Sequence, residues 1–272
     1  MSESVENAPV IEVIAELRWR SSVVPEKLLN APGPNMIPPH LAGSTHEFFG
    51  RLTDRVRGLG YTSVTRLVPE PFPMLMHQPV LRFDAPEDRR ARSLYQVGPG
   101  LFSANAVPPY DSWSSAFSQT VASGVEALLA TRDPAERGAP FEGVTLRYLD
   151  AFGPRLTEGR DSLAFTREVL GISVDLPLAL TQHLQDGAAW KPFLQFQLPV
   201  GVGQVLSVAI GDGFANDHPA VLMDWSLTCS APVKPELGEV MNVLNHAHDL
   251  IYKSWKEMMK PISHLMPKKT PK

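Results

Sequence analysis

The sequence predicts an α+β protein, with antiparallel sheet and helices packed on one face, built as a pseudo-duplicated β-α-β-β-β-α unit. Three observations carry this expectation. Ile11, Val13, Ala15, Leu17 and Trp19 alternate with Glu12, Glu16, Arg18 and Arg20, the period of a strand with one buried face. Two long segments, beginning at Ser44 and ending the chain over 235–260, repeat apolar residues every three or four positions, as helices with one buried stripe do. The order of elements in the first half then recurs in the second, where Leu146-Arg147-Tyr148 echoes Leu17-Arg18-Trp19.

Taken in order, strand one covers 10–20, and 21–43, with five prolines and no period, is a surface connection. Ser44 and Glu47 form a capping box ahead of the stripe Phe48, Leu52, Val56 and Leu59, and Gly60 ends that helix. Val80–Phe83, Leu94–Val97 and Leu101–Asn105 are extended, the last two joined as a tight hairpin at Gly98-Pro99-Gly100. Pro109, Asp111 and Trp113 open a second helix bearing Phe117, Val121, Val125 and Leu128, which stops near Arg132-Asp133-Pro134. The second half runs from the strand at Val144–Tyr148 to a short helix over 162–170. Strands at 192–198, 204–210 and 220–230 follow, turning at Gly201–Gly203 and over 211–219. The closing helix carries Val240, Val243, Leu244, Ala247, Ile251, Trp255 and Met258 on one stripe. Either two sheets or one continuous sheet across a pseudo-twofold axis fits this order, and the duplication fails if strand one and the strand near 144 lie in unrelated places.

At 272 residues, 43% hydrophobic and 20% charged, the chain can bury a large core. It is read as a single globular domain over 1–272 that can divide into two similar lobes, 8–135 and 140–262. A net charge of −4 supplies no positive field, so nucleic acid is not an expected partner. The start, Met1 to Pro9, lacks the basic flank and apolar run of a secretory signal, and every apolar stretch falls short of the roughly 18 residues that span a bilayer. A soluble, cytoplasmic protein without a membrane partner is expected. The single cysteine, Cys229, permits no intrachain disulfide and is read as a buried strand residue.

No arrangement of residues calls for a cofactor, a metal or a catalytic group. His246 and His248 are two apart on a helix and diverge, whereas helical metal ligands stand three or four apart; His248 is read as packed beside Tyr252. Gly98-Pro99-Gly100 is followed by strand residues rather than a helix start, and Pro99 has no N–H for a phosphate. Gly201-x-Gly203 and Gly211-x-Gly213 are turns. Asp212, Asp217 and Asp224, with His218, surround one loop and strand and are read as surface residues. Arg89, Arg90 and Arg92 are read as a hairpin tip beside Glu87 and Asp88, and Lys268, Lys269 and Lys272 as a tail.

The stretch Gln96-Val97-Gly98-Pro99-Gly100-Leu101-Phe102-Ser103-Ala104-Asn105, followed by Pro109-Tyr110 and Trp113, resembles a sporadically distributed bacterial family of uncharacterised proteins. Asn7–Val13, Leu146-Arg147-Tyr148 and Ala247-His248 with Trp255 resemble other features of it, so the likeness spans almost the whole chain. Trp255 stands where the family has phenylalanine, and Pro261 is a further departure. The resemblance implies no activity, and the family's patchy occurrence points to mobile-element or defence-type systems.

The expected function is a non-enzymatic binding or protein-interaction protein, whose partner is another protein or a second copy in a homodimer. On this reading Gly98, Pro99, Gly100, Asn105, Tyr110, Trp113 and His248 are structural. The alternative is a sensor or enzyme with a pocket between the halves for an anionic ligand, anchored by Arg18 and Arg147.

Overall fold

The computed structural model describes residues 6–21, 36–37, 42–70, 72–86, 92–109, 112–186, 188 and 190–268. The strands are β1 (Val10–Arg18), β2 (Met36–Ile37), β3 (Ser63–Arg66), β4 (Met74–Leu75), β5 (Leu81–Asp84), β6 (Arg92–Gly98), β7 (Leu101–Val107), β8 (Gly143–Phe152), β9 (Phe193–Gly201), β10 (Gln204–Ala215) and β11 (His218–Cys229). The helices are α1 (Ala42–Gly58), α2 (Ser118–Thr131), α3 (Pro154–Thr157), α4 (Ser162–Glu168), α5 (Leu178–Thr181) and α6 (Leu237–Met258). A wide turn over Trp113–Phe117 leads into α2, capped by Ser112, whose hydroxyl accepts from the Ser115 N–H at 3.1 Å.

Nine strands form one sheet in the order β3-β5-β6-β7-β1-β8-β11-β10-β9, while β2 and β4 pair separately. Every pairing is antiparallel. The decisive pairing is present: β1 lies against β8, with Val13 opposite Tyr148, Ala15 opposite Leu146 and Leu17 opposite Val144. One continuous sheet therefore replaces the two-sheet option. Outward from that pair the order is β7, β6, β5 on one side and β11, β10, β9 on the other. This order does not confirm the expected duplication. β3 extends only the first flank, and where that half has the 17-residue α1 the second has helices of 4, 7 and 4 residues.

Alternation decides which face is covered. Val13, Ala15 and Leu17 of β1, Phe102, Ala104 and Ala106 of β7, Val144 and Leu146 of β8, and Trp225 and Leu227 of β11 are buried on the same side. Against them pack Phe48, Leu52 and Val56 of α1, Val121, Val125 and Leu128 of α2, and Val240, Leu244, Ala247 and Ile251 of α6, all in one core. These are the stripes that helical spacing predicts. The Ser44 side chain, assigned to the cap of α1, lies outside the described residues, and Gly60 stops that helix with φ of 90°. At the end of β1 the Trp19 indole donates to Glu136 at 2.7 Å, Ser21 donates to the same carboxylate at 3.0 Å, and the buried Arg132 guanidinium lies over the Trp19 and Phe141 rings.

Turn chemistry sets the hairpins. Between β6 and β7, Pro99 occupies the first central position and Gly100, with φ of 67°, the second, as a type II turn requires. The β10–β11 connection is tighter than expected: instead of a loop over 211–219, the strands run on to a two-residue turn at Asn216-Asp217, both with positive φ. Asn and Asp tolerate that conformation, which matches strand twist in a type I′ hairpin.

The glycine-proline-glycine turn is clamped from both sides. Pro99 accepts from the His77 N–H at 2.9 Å, Gly100 accepts from the Trp19 N–H at 3.0 Å, and a Cβ on Gly98 would stand 1.8 Å from the Gln78 carbonyl oxygen. Gly98→Ala is therefore expected to destabilise the protein by about 2–4 kcal/mol, measured by urea denaturation, whereas Gly138→Ala, which meets nothing within 4 Å, is expected to change it little.

Candidate functional site

Three places carry unusual chemistry or exposure. The first is a hollow of about 510 Å³ on the uncovered face of the sheet, where β1, β8 and β11 meet and His77 and Glu142 form part of the wall. Both Arg18 and Arg147 line it, together with Glu16, Asp224, Thr145 and Ser226. Each guanidinium is already engaged. Arg18 Nε donates to Glu16 at 2.6 Å, and Arg147 grips Asp224 through two hydrogen bonds of 2.8 and 2.6 Å. That paired grip, aided by Glu12 and Glu16, raises the Arg147 pKa against the burial that would lower it. The hollow thus presents two ion pairs and several hydroxyls, with both arginine side chains about half exposed.

The second place lies under α6. Tyr148 Oη and His248 Nδ1 share a hydrogen bond of 2.8 Å, Trp113 stacks on His248 at 5.5 Å, and Tyr252 stacks on its other side at 5.7 Å. Trp113 also donates to Asn245 at 2.8 Å. Burial pulls the His248 pKa down to about 4, with Asp249 opposing, so the imidazole is neutral at about pH 7, and it packs beside Tyr252 as helical spacing predicts. His246 is exposed on the opposite face of the helix.

Beside this column sits Asp150, which the sequence reading missed. It is buried, and neither carboxylate oxygen has a hydrogen-bond partner. The Trp225 and Trp255 indole N–H groups are also buried without partners. Burial pushes Asp150 up to about 7; Trp255 favours its charged form without closing a hydrogen bond, and Asp224 disfavours it. The signal was present: Val144, Leu146, Tyr148, Asp150 and Phe152 keep one parity, so continuing the alternation two residues beyond Tyr148 turns a carboxylate inward.

The third place is the sheet's edges. β3, at one end, has four residues, and its Arg66 is tied to Glu70 at 3.3 Å and to the Val68 carbonyl at 2.8 Å. β9, at the other, has nine residues and, among the described residues, pairs with β10 alone. Phe193 is 79% exposed, Phe196 37%, Leu198 45%, and Val202 in the adjoining turn 94%. Native sheets blunt edges with short strands and charge. β3 fits that practice; β9 is interrupted by Pro199 and an irregularity beside it but is otherwise long, uncharged and apolar.

The remaining candidate residues do not gather at one place. Asn105 is buried, accepts from Ser103 and donates to Glu12 at 2.8 Å. Tyr110 and Asp111 lie outside the described residues, as do Arg89, Arg90, Lys269 and Lys272. Asp212 pairs with Lys191, Asp224 with Arg147, and Asp217 sits in the β10–β11 turn, so these acids form no common site. Cys229 is buried on β11. Among the described residues no group of His, Cys, Asp or Glu could hold a metal, and no helix is long and apolar enough to cross a membrane. No model of a known protein family matches the chain, and no curated protein or solved structure does either.

Asp150 and His248 make opposite predictions for pH. The folded chain keeps a proton on Asp150 up to about 7, whereas the unfolded chain releases it near 3.8, so stability falls as pH rises through that window. His248 is protonated near 6.5 when unfolded but only near about 4 when folded, so its contribution is lost on acidification through that interval. Asp150→Asn is expected to match wild type below about pH 4 and to exceed its stability by a few kcal/mol above about pH 7. Urea denaturation across that range measures the difference.

Proposed function

We propose that the chain is a non-enzymatic protein-interaction module that receives an extended, uncharged polypeptide strand along the open edge of β9. The observation that carries this reading is the contrast between the two ends of one sheet, one short and charge-bearing, the other long and apolar. Strand addition satisfies the outward backbone groups of such an edge, and pockets between alternate side chains give selectivity. The acids and bases support it by their dispersal: they sit in ion pairs or in the core rather than around a reacting position. The family resemblance supports a link of the chain to mobile-element or defence-type systems.

The test is affinity capture from the native host with wild-type chain and with Phe196→Lys/Leu198→Lys. A protein recovered stoichiometrically by wild type is expected to fall at least tenfold in the variant, whose circular dichroism spectrum and single cooperative unfolding transition show that it remains folded. Capture unaffected by the lysines contradicts the reading.

A second reading, binding of an anionic small molecule between the halves, is favoured by one observation: Arg18 and Arg147 line the same hollow. An anion there competes with Glu16 and Asp224 for the guanidinium groups. Thermal denaturation with millimolar phosphate or citrate is expected, on this reading, to raise the melting temperature of wild type but not of Arg18→Ala/Arg147→Ala. Equal shifts in both proteins contradict it.

A further inference from the structure

We infer that the strand received at β9 is β9 of a second copy of this chain, laid antiparallel about a twofold axis through Gln197. This inference rests on the edge reading above and names its occupant. The argument starts from the side-chain pattern of 193–201, Phe-Leu-Gln-Phe-Gln-Leu-Pro-Val-Gly. An isologous contact requires a strand that is complementary to itself when reversed. Reversal about Gln197 sets Phe196 opposite Leu198 and Leu194 opposite Val200, apolar against apolar, with Gln197 opposite its own copy.

Face is conserved in that register. Leu194, Phe196 and Leu198 stand opposite Ile210, Val208 and Leu206 of β10, which are buried on the helix-covered side. Pairing even positions with even positions keeps the helix layers of both copies on one side of the joined sheet and makes the apolar row continuous. A register shifted by one residue would place glutamine against phenylalanine and the helix layers on opposite faces.

Charge and area point to the same occupant. No residue from Pro192 to Gln204 is charged, so two copies of a chain carrying net −4 meet here without like-charge opposition. The exposed apolar side chains of β9, with Val202, offer on the order of 500 Å² per copy at roughly 170 Å² for a fully exposed large side chain. A standard interface buries about 800 Å² per partner, a gap that the strand backbone, Gln195, Gln197 and Pro199 can fill. Pro199 has no N–H, so the new ladder is confined to the stretch around Gln197 and the apolar pairs carry the association.

Light scattering coupled to gel filtration tests this on the full chain. The expected mass is twice the 29.9 kDa of one chain, returning to a single-chain mass in Phe196→Lys/Leu198→Lys, whose circular dichroism spectrum remains that of the folded chain while its melting temperature loses the dependence on protein concentration that a dimer shows. A second variant reads the register: Gln197→Cys is expected to oxidise to a disulfide-linked dimer and Gln195→Cys to remain unlinked. Wild type with single-chain mass at every concentration overturns the inference, as does a dimer that survives the lysines or a Gln195→Cys link as efficient as Gln197→Cys. If wild type is monomeric yet captures a host protein through β9, only the identity of the occupant fails. If it is monomeric and captures nothing, the edge reading fails with it.

Discussion

The antiparallel ladder between β1 and β8 is the constraint on which the rest of the structure depends. It joins the halves of the sheet from Val10 opposite Asp150 to Arg18 opposite Gly143, with one irregularity between Val10 and Glu12. Because strand side chains alternate, one register fixes both faces at once. Toward the helices it aligns Val13 with Tyr148, Ala15 with Leu146 and Leu17 with Val144, and those residues found the core. Toward the open side the same register sets Glu16 beside Thr145 and Arg147 beside Ile14, which builds the hollow. Core and hollow are thus two consequences of one pairing.

Where the ladder places polar groups inward, the molecule settles them unequally. Glu136 accepts from Trp19 and Ser21, and His248 is held by Tyr148 and sandwiched between Trp113 and Tyr252. Asp150 has the same inward parity without a partner. An unsatisfied buried carboxylate opposes folding when charged, which is why it keeps its proton toward neutral pH. The sheet ends are equally unequal. Arg66 and a length of four residues close the β3 end. At the β9 end no residue of the strand is charged and, among the described residues, the main packing of α6 is over β8 and β11.

Much of this was legible in the sequence because period and turn chemistry are local. Alternation from Ile11 to Trp19 located β1, helical spacing located α1, α2 and α6, and Gly98-Pro99-Gly100 gave its hairpin through Pro and Gly preferences alone. The errors were also local in origin. Gly211 and Gly213 suggested a loop, but positive φ at Asn216 and Asp217 carries the turn, and strand pairing continues through both glycines. β3, with Ser63, Val64, Thr65 and Arg66, was too short and too polar to stand out. Asp150 was within reach of the alternation and was passed over. The open edge was not readable at all: Leu194, Phe196 and Leu198 carry the pattern of an ordinary half-buried strand, and only the order of strands in space reveals that no described strand follows β9. Likewise Arg18 and Arg147 matched in sequence, but their shared hollow depends on the β1–β8 register.

Hydrogen exchange along the two edges measures the central claim most directly. In dilute, isolated chain the outward-facing amides of 193–201 should exchange quickly, and protection should rise there, and not at 63–66, as protein concentration increases or a bound strand is supplied. Protection of 193–201 that is already complete in the dilute monomer, or that never changes with concentration or partner, would contradict the account of β9 as a strand-receiving edge.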